Sequence, residues 1–179
     1  MKFTEAIQHI EEQLQDMLGD IQKEKIDEMI DYFFTAHNIF VYGAGRSGLV
    51  GKAFAIRLVH LGFPAFVVGE TITRPVTKND LVILISSTGE TIPVAMTAEI
   101  ARRLGAKLIS ITSNADSHIA RFADLLIILS PKNKNAELAP LGTLFEAAAW
   151  IFLDAIVAEL MAKKGENEKN MRQRHATLE

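Results

Sequence analysis

Residues 38–48, NIFVYGAGRSG, decide the fold. Ile39, Phe40, Val41 and Tyr42 are β-branched or aromatic and read as a short buried strand, after which Gly43, Gly45 and Gly48 break the chain before a helical stretch opens. A strand that runs through such a turn into a helix aims backbone N–H groups and the positive end of the helix dipole at one spot, which suits an anion. Phosphate is the first expectation. The spacing also satisfies G-x-G-x-x-G, the dinucleotide fingerprint, so two readings are open at this point.

Outward from the turn toward the C-terminus, residues 48–61 (GLVGKAFAIRLVHL) form a helix that Gly62 and Pro64 terminate, and a short strand follows at 65–68. The runs 81–85, 107–111 and 125–129 are apolar almost without interruption, as expected of parallel strands buried on both faces. Helical stretches separate most of them, 93–104 with its Gly105 stop being the clearest. This alternation predicts an α/β three-layer α-β-α sandwich with a five-stranded parallel sheet, flavodoxin-like, with right-handed crossovers.

Toward the N-terminus, residues 3–18 and 21–36 place apolar side chains at helical spacing, so two amphipathic helices precede the sheet. They cover either another subunit or an open face of the chain's own sheet. Beyond the sheet, 130–140 (SPKNKNAELAP) reads as a polar loop. The stretch GTLFEAAAWIFLDAIVAELMAKK is then the longest and most apolar helix, expected to be buried with help from a partner subunit. A charged tail closes the chain with one more short helix. The organisation expected is a single domain over 1–179, with N-terminal helices in 1–36, the sheet core in 38–130 and C-terminal helices in 141–179.

The 179 residues are 49% hydrophobic and 23% charged, with 19 basic against 22 acidic side chains and a net charge of −3, so no global field recruits nucleic acid or an anionic membrane. With no cysteine, disulfide and thiolate chemistry are excluded, and the five histidines show no metal-ligand spacing. No metal and no cofactor are expected. The N-terminus has no signal-like apolar core, and no stretch approaches the roughly 20 apolar residues of a membrane span, so a cytoplasmic protein is expected.

A second strand-to-helix junction lies at 81–94, LVILISSTGETIPV. Ser86, Ser87, Thr88 and Thr91 surround Gly89 and Glu90, and Pro93 sits where a missing helical N–H costs little. One such hydroxyl would be a plain helix cap; four around a glycine at the carboxyl end of a buried strand make a phosphate cradle. Ser110, Thr112, Ser113 and Asn114 at the next strand end are explained by caps and turns. In open parallel sheets ligands bind outside the strand carboxyl ends near the topological switch point, so these loops converge on a crevice for a small, polyhydroxylated, phosphorylated ligand. The dinucleotide reading would use Glu70 for a ribose, but leaves the SSTGET loop without a task and the chain without room for a substrate domain.

Glu146 is the acid best placed for chemistry, at the start of the long helix and on its apolar side. It is either aimed into a pocket or the last member of a Thr143-x-x-Glu146 capping box. Arg46 contacts the ligand anion or pairs with an acid. His60, about 18 Å along its helix from Gly48, cannot easily serve its own subunit's phosphate end and could serve a neighbour's. His175 in the tail could also reach across an interface, whereas His9, His37 and His118 read as surface or boundary residues.

Taken together, VYGAGRSG and SSTGET resemble the sugar isomerase (SIS) domain family over nearly the whole chain. Within it, the GTLFE segment and the terminal RHATLE resemble members that isomerise a 3-keto hexose phosphate. The resemblance implies interconversion of D-arabino-hex-3-ulose 6-phosphate and fructose 6-phosphate, in the ribulose monophosphate pathway of formaldehyde fixation. It implies substrate binding by Gly45, Arg46, Ser47 and the loop Ser86, Ser87, Thr88, Gly89, Glu90 and Thr91. It gives Glu146 as the proton acceptor, with His60 ranked behind it, and a homotetramer built as a dimer of dimers. An arabinose or heptose phosphate isomerase, or a non-catalytic sugar-phosphate sensor, are the alternatives.

Overall fold

The computed structural model describes residues 1–178. Helices α1 (Lys2–Gly19) and α2 (Lys23–Thr35) lead into β1 (Ile39–Gly43), α3 (Gly45–His60), β2 (Ala65–Val67) and β3 (Leu81–Ile85). Next come α4 (Ile92–Leu104), β4 (Lys107–Thr112), α5 (His118–Phe122), β5 (Leu125–Ile128), α6 (Thr143–Lys164) and α7 (Glu168–Gln173). All pairings are parallel, in the order β2-β1-β3-β4-β5, so the three-layer flavodoxin-like sandwich expected from the strand and helix alternation is the fold.

The strands are apolar throughout because both sheet faces are covered. In β3, Leu81, Ile83 and Ile85 enter one core with α1, α2, α3 and α6, while Val82 and Leu84 enter the other with α4 and α5. The N-terminal helices settle on this chain's own sheet: Met17, Met29, Ile30 and Phe33 are buried in the first core. The long helix α6 contributes Leu144, Phe145, Ala148, Phe152 and Leu160 to the same core but leaves Trp150 and Ile151 about half exposed. Its apolar character therefore exceeds what its own chain covers. Among the described residues, no helix is long and apolar enough to cross a membrane.

Two features fix the frame at the ends of the sheet. At the amino end, the buried Asp80 carboxylate accepts from the Asn38 amide (3.0 Å) and side chain (2.8 Å) and from the Thr77 amide (2.6 Å) and hydroxyl (2.8 Å). Burial pushes its carboxyl pKa up, but these donors outweigh it and hold it below the usual value. At the carboxyl end, Gly43 and Gly48 let strand and helix touch: a Cβ on Gly48 would stand 2.5 Å from the Gly43 carbonyl oxygen. The glycine pattern thus serves close backbone approach there.

Candidate active site

Order β2-β1-β3 puts the switch in chain direction between β1 and β3, whose carboxyl ends carry the two loops marked in the sequence. Ser47 is buried in the first turn of α3, and Ser86 is buried where β3 ends. Ser86 Oγ accepts from the Gly89 amide at 3.2 Å and lies 3.3 Å from Thr91 Oγ1. Gly89 adopts φ +68, and a Cβ there would run into the Ser117 side chain, so the loop closes tightly only with glycine. β4 supports the loop from the other side: Thr112 Oγ1 and Ser113 Oγ both donate to the Ser87 carbonyl, at 3.1 and 2.7 Å. Ser113, read from sequence as a turn residue, is therefore part of the crevice wall.

This loop keeps donors in hand. Among the described residues, the amides of Ser87, Thr88 and Thr91 have no hydrogen-bond acceptor, and the α4 cap residue Thr91 makes no side-chain capping bond. Open amides beside four hydroxyls at a helix start form an anion cradle. Glu90 points the other way: its Oε1 accepts from the His118 amide at 2.8 Å, tying the loop to α5.

Glu146 lies in the first turns of α6, and the structure chooses between its two readings. The cap residue is Gly142, and the Thr143 hydroxyl donates to the Pro140 carbonyl at 2.6 Å, so no capping box forms. The carboxylate instead pairs with Arg46 Nε, 100 residues away in the glycine turn. The Glu146 side chain is 12% exposed against 70% for Arg46, so the acid is sheltered and the guanidinium is open. Gly142 makes room for it, since a Cβ there would sit 3.0 Å from Glu146 Oε1. The acid borders a cavity of about 350 Å³ lined also by Arg46, Val50 and Trp150. A smaller one of about 120 Å³ is lined by Ser87, Ser113, Lys134 and Gly142, and Gly142 lies beside the Glu146 carboxylate.

The sequence and the fold match a known family. The SIS domain pattern matches residues 32–150. The chain belongs to the SIS domain family. Over its full length and theirs, it is 40% identical to a 3-hexulose-6-phosphate isomerase of Bacillus subtilis. It is 42% identical to one of Methanocaldococcus jannaschii, covering 89% of this chain and 87% of that one. A crystal structure from Methanococcus jannaschii, for which a 3-hexulose-6-phosphate isomerase function was inferred, superposes with a TM-score of 0.86 at 38% identity, covering 97% of each chain. At that identity and coverage, the chain stands with the isomerases of the SIS family.

One residue of the sequence-derived set stands apart in this SIS domain. His60 ends α3, about 21 Å along the helix from Arg46 by the usual rise, at the opposite end of the sheet from Glu146. There it stacks on His175, with ring centroids 5.0 Å apart, and the two border a cavity of about 550 Å³ with Arg57 and Arg172. Burial pushes the His60 pKa down, and His175 and Arg57 add to the shift. Arg174 holds the tail in place, donating to the His60 carbonyl at 2.9 Å and to Glu166 at 2.8 Å. Glu179, the last residue of the RHATLE segment, lies outside the described residues. His9, read from sequence as a surface or boundary residue, is buried on α1. Gly142 stands in the GTLFE segment, and Lys134 carries no motif.

Proposed function

We propose that the chain interconverts D-arabino-hex-3-ulose 6-phosphate and fructose 6-phosphate through a 2,3-enediol, with Glu146 as the base. The observation that carries the reading is the sheltered Glu146 carboxylate, held by Arg46 rather than by its own helix, next to a crevice of open amides and hydroxyls. The phosphate lies on the loop Ser86–Thr91, with Ser47 and Gly45 against the sugar. The names of the relatives at about 40% identity favour this substrate pair.

In the forward step the Glu146 carboxylate takes the proton from carbon 2 of the 3-ketose. The freed pair forms the C2=C3 double bond, and the carbonyl electrons move to the oxygen on carbon 3, which accepts a proton. The hydroxyl on carbon 2 then loses its proton as its carbonyl forms, and Glu146 returns its proton to carbon 3. One carboxylate on one face of the enediol suffices. Arg46 steers the carboxylate and lends positive charge where the enediolate develops.

His60 enters this reading only through a second copy, because its own chain keeps it at the far end of α3. A homotetramer arranged as a dimer of dimers would bring the His60–His175 pair of one protomer to the Glu146 crevice of another. The exposed Leu49, Ile56 and Val59 on α3 and Trp150 on α6 supply apolar surface for such contacts. The setting proposed is a cytoplasmic enzyme acting on a free sugar phosphate.

The test is incubation of the protein with fructose 6-phosphate in deuterated water, followed by NMR. A 2,3-enediol enzyme places deuterium on carbon 3 of recovered fructose 6-phosphate and on carbon 2 of the 3-ketose formed. Deuterium on carbon 1 alone would assign a 1,2-enediol isomerase instead, and binding without exchange or product would leave a sensor.

A further inference from the structure

We infer that Lys134 is the cation that pairs with the substrate's phosphate, making the segment between β5 and α6 one wall of the phosphate subsite. The inference rests on the reading of the Ser86–Thr91 loop as a phosphate cradle and adds to it a residue from a different part of the chain.

Three observations converge on this lysine. Lys134 lines the same cavity of about 120 Å³ as Ser87 and Ser113, which places it at the edge of the cradle. Its segment otherwise neutralises its charges: Lys132 pairs with Asp20 at 3.4 Å, and Glu137 takes Lys2 at 2.9 Å. Among the described residues, Lys134 pairs with no carboxylate. A cation left unpaired at a crevice that Ser87, with its open amide, also lines meets the charge requirement of a phosphate dianion. The cradle alone, with its neutral donors, supplies none.

The backbone agrees. Gly142 lines this cavity and lies beside the Glu146 carboxylate, so a substrate with its phosphate end at Lys134 extends past Gly142 to bring its carbons to the base. Leu141, fully exposed with φ +54, also borders the crevice. Backbone strain of this kind persists only where the surroundings impose it, and it clusters at ligand sites.

The experiment uses the full-length protein and Lys134→Met, which keeps the length of the stem and removes the charge. Losing a charge-assisted hydrogen bond to phosphate should raise KM for fructose 6-phosphate about 10-fold or more with kcat within about threefold, and weaken inorganic phosphate as a ligand by a similar factor. Because the group is exposed, the gap between the two proteins should narrow as salt is raised. Lys134→Arg should recover most of the affinity. Unchanged phosphate affinity in Lys134→Met overturns the inference, as does an equal loss in the Met and Arg variants with a lowered melting temperature. The isomerase reading fails separately: if the wild-type protein binds phosphate and Lys134→Met loses it while neither exchanges deuterium, the lysine stands and the reaction does not.

Discussion

Replacing Glu146 by glutamine separates catalysis from stability more sharply than any other single change. Glutamine fills the same volume, so the nearly enclosed side chain leaves no cavity, and its amide oxygen can still accept from Arg46 Nε. What is lost is a charge pair with a guanidinium that is 70% exposed, and pairs that open to solvent are worth about 0–1 kcal/mol. For a chain of this size, 1 kcal/mol moves the melting temperature by about 2–4 °C, so the variant should melt within a few degrees of the wild type. A general base contributes about 10²–10⁴-fold, so kcat should fall at least 100-fold, equivalent to about 2.7 kcal/mol of barrier. The barrier change therefore exceeds the stability change by a clear margin. Turnover of fructose 6-phosphate and deuterium uptake at carbon 3 read the first quantity, and calorimetry reads the second. A variant that melts normally and keeps kcat within tenfold of the wild type would refute the assignment and leave Glu146 as a partner for Arg46.

Other changes test other parts of the structure. Ser87→Ala should raise KM several-fold with little effect on kcat, and an unchanged KM in steady-state assays would remove that hydroxyl from the subsite. Asp80→Ala strips four donors of their acceptor at the amino end of the sheet and should cost about 3 kcal/mol in denaturant unfolding without altering KM. Because the folded state holds the Asp80 pKa below the unfolded value, its contribution is full above about pH 4 and is lost as pH falls through the depressed value, so the variant's stability curve should be flatter in acid. His60 behaves with the same sign: its pKa is lowered on folding, so its contribution is full above about pH 6.5 and declines as pH drops below it. His60→Gln should flatten that part of the curve, and parallel curves would show that His60 does not titrate as described.

The strands were legible because a parallel sheet covered on both faces asks for unbroken apolar runs, and β3 supplies five such residues that alternate between the two cores. The start of α3 was harder to place, since glycine propensity argues against a helix. The helix opens at Gly45, inside the turn rather than after it, because the Gly43–Gly48 contact draws it onto the strand. α5 carries too few residues to show a period of its own and is fixed by contacts from elsewhere: Glu90 accepts its first amide, and the Ile119 amide donates to the Gly89 carbonyl.

The candidate site divides along the same line between local and long-range causes. SSTGET announced itself because its hydroxyls, glycine and proline act on neighbours in sequence. Glu146 could not be assigned locally, since T-x-x-E fits a capping box as well as a catalytic acid. What removes the capping box is a hydroxyl turned back to Pro140 and a guanidinium arriving from the other loop. Lys134 had no local signature at all, as one lysine in a polar stretch looks like solvent-facing charge until the fold sets it at the same cavity as Ser87. If the phosphate occupies that cavity, the residues least visible in the sequence supply the charge, and the most visible ones supply the geometry. Removing Lys134 should then act on affinity, and removing Glu146 on turnover.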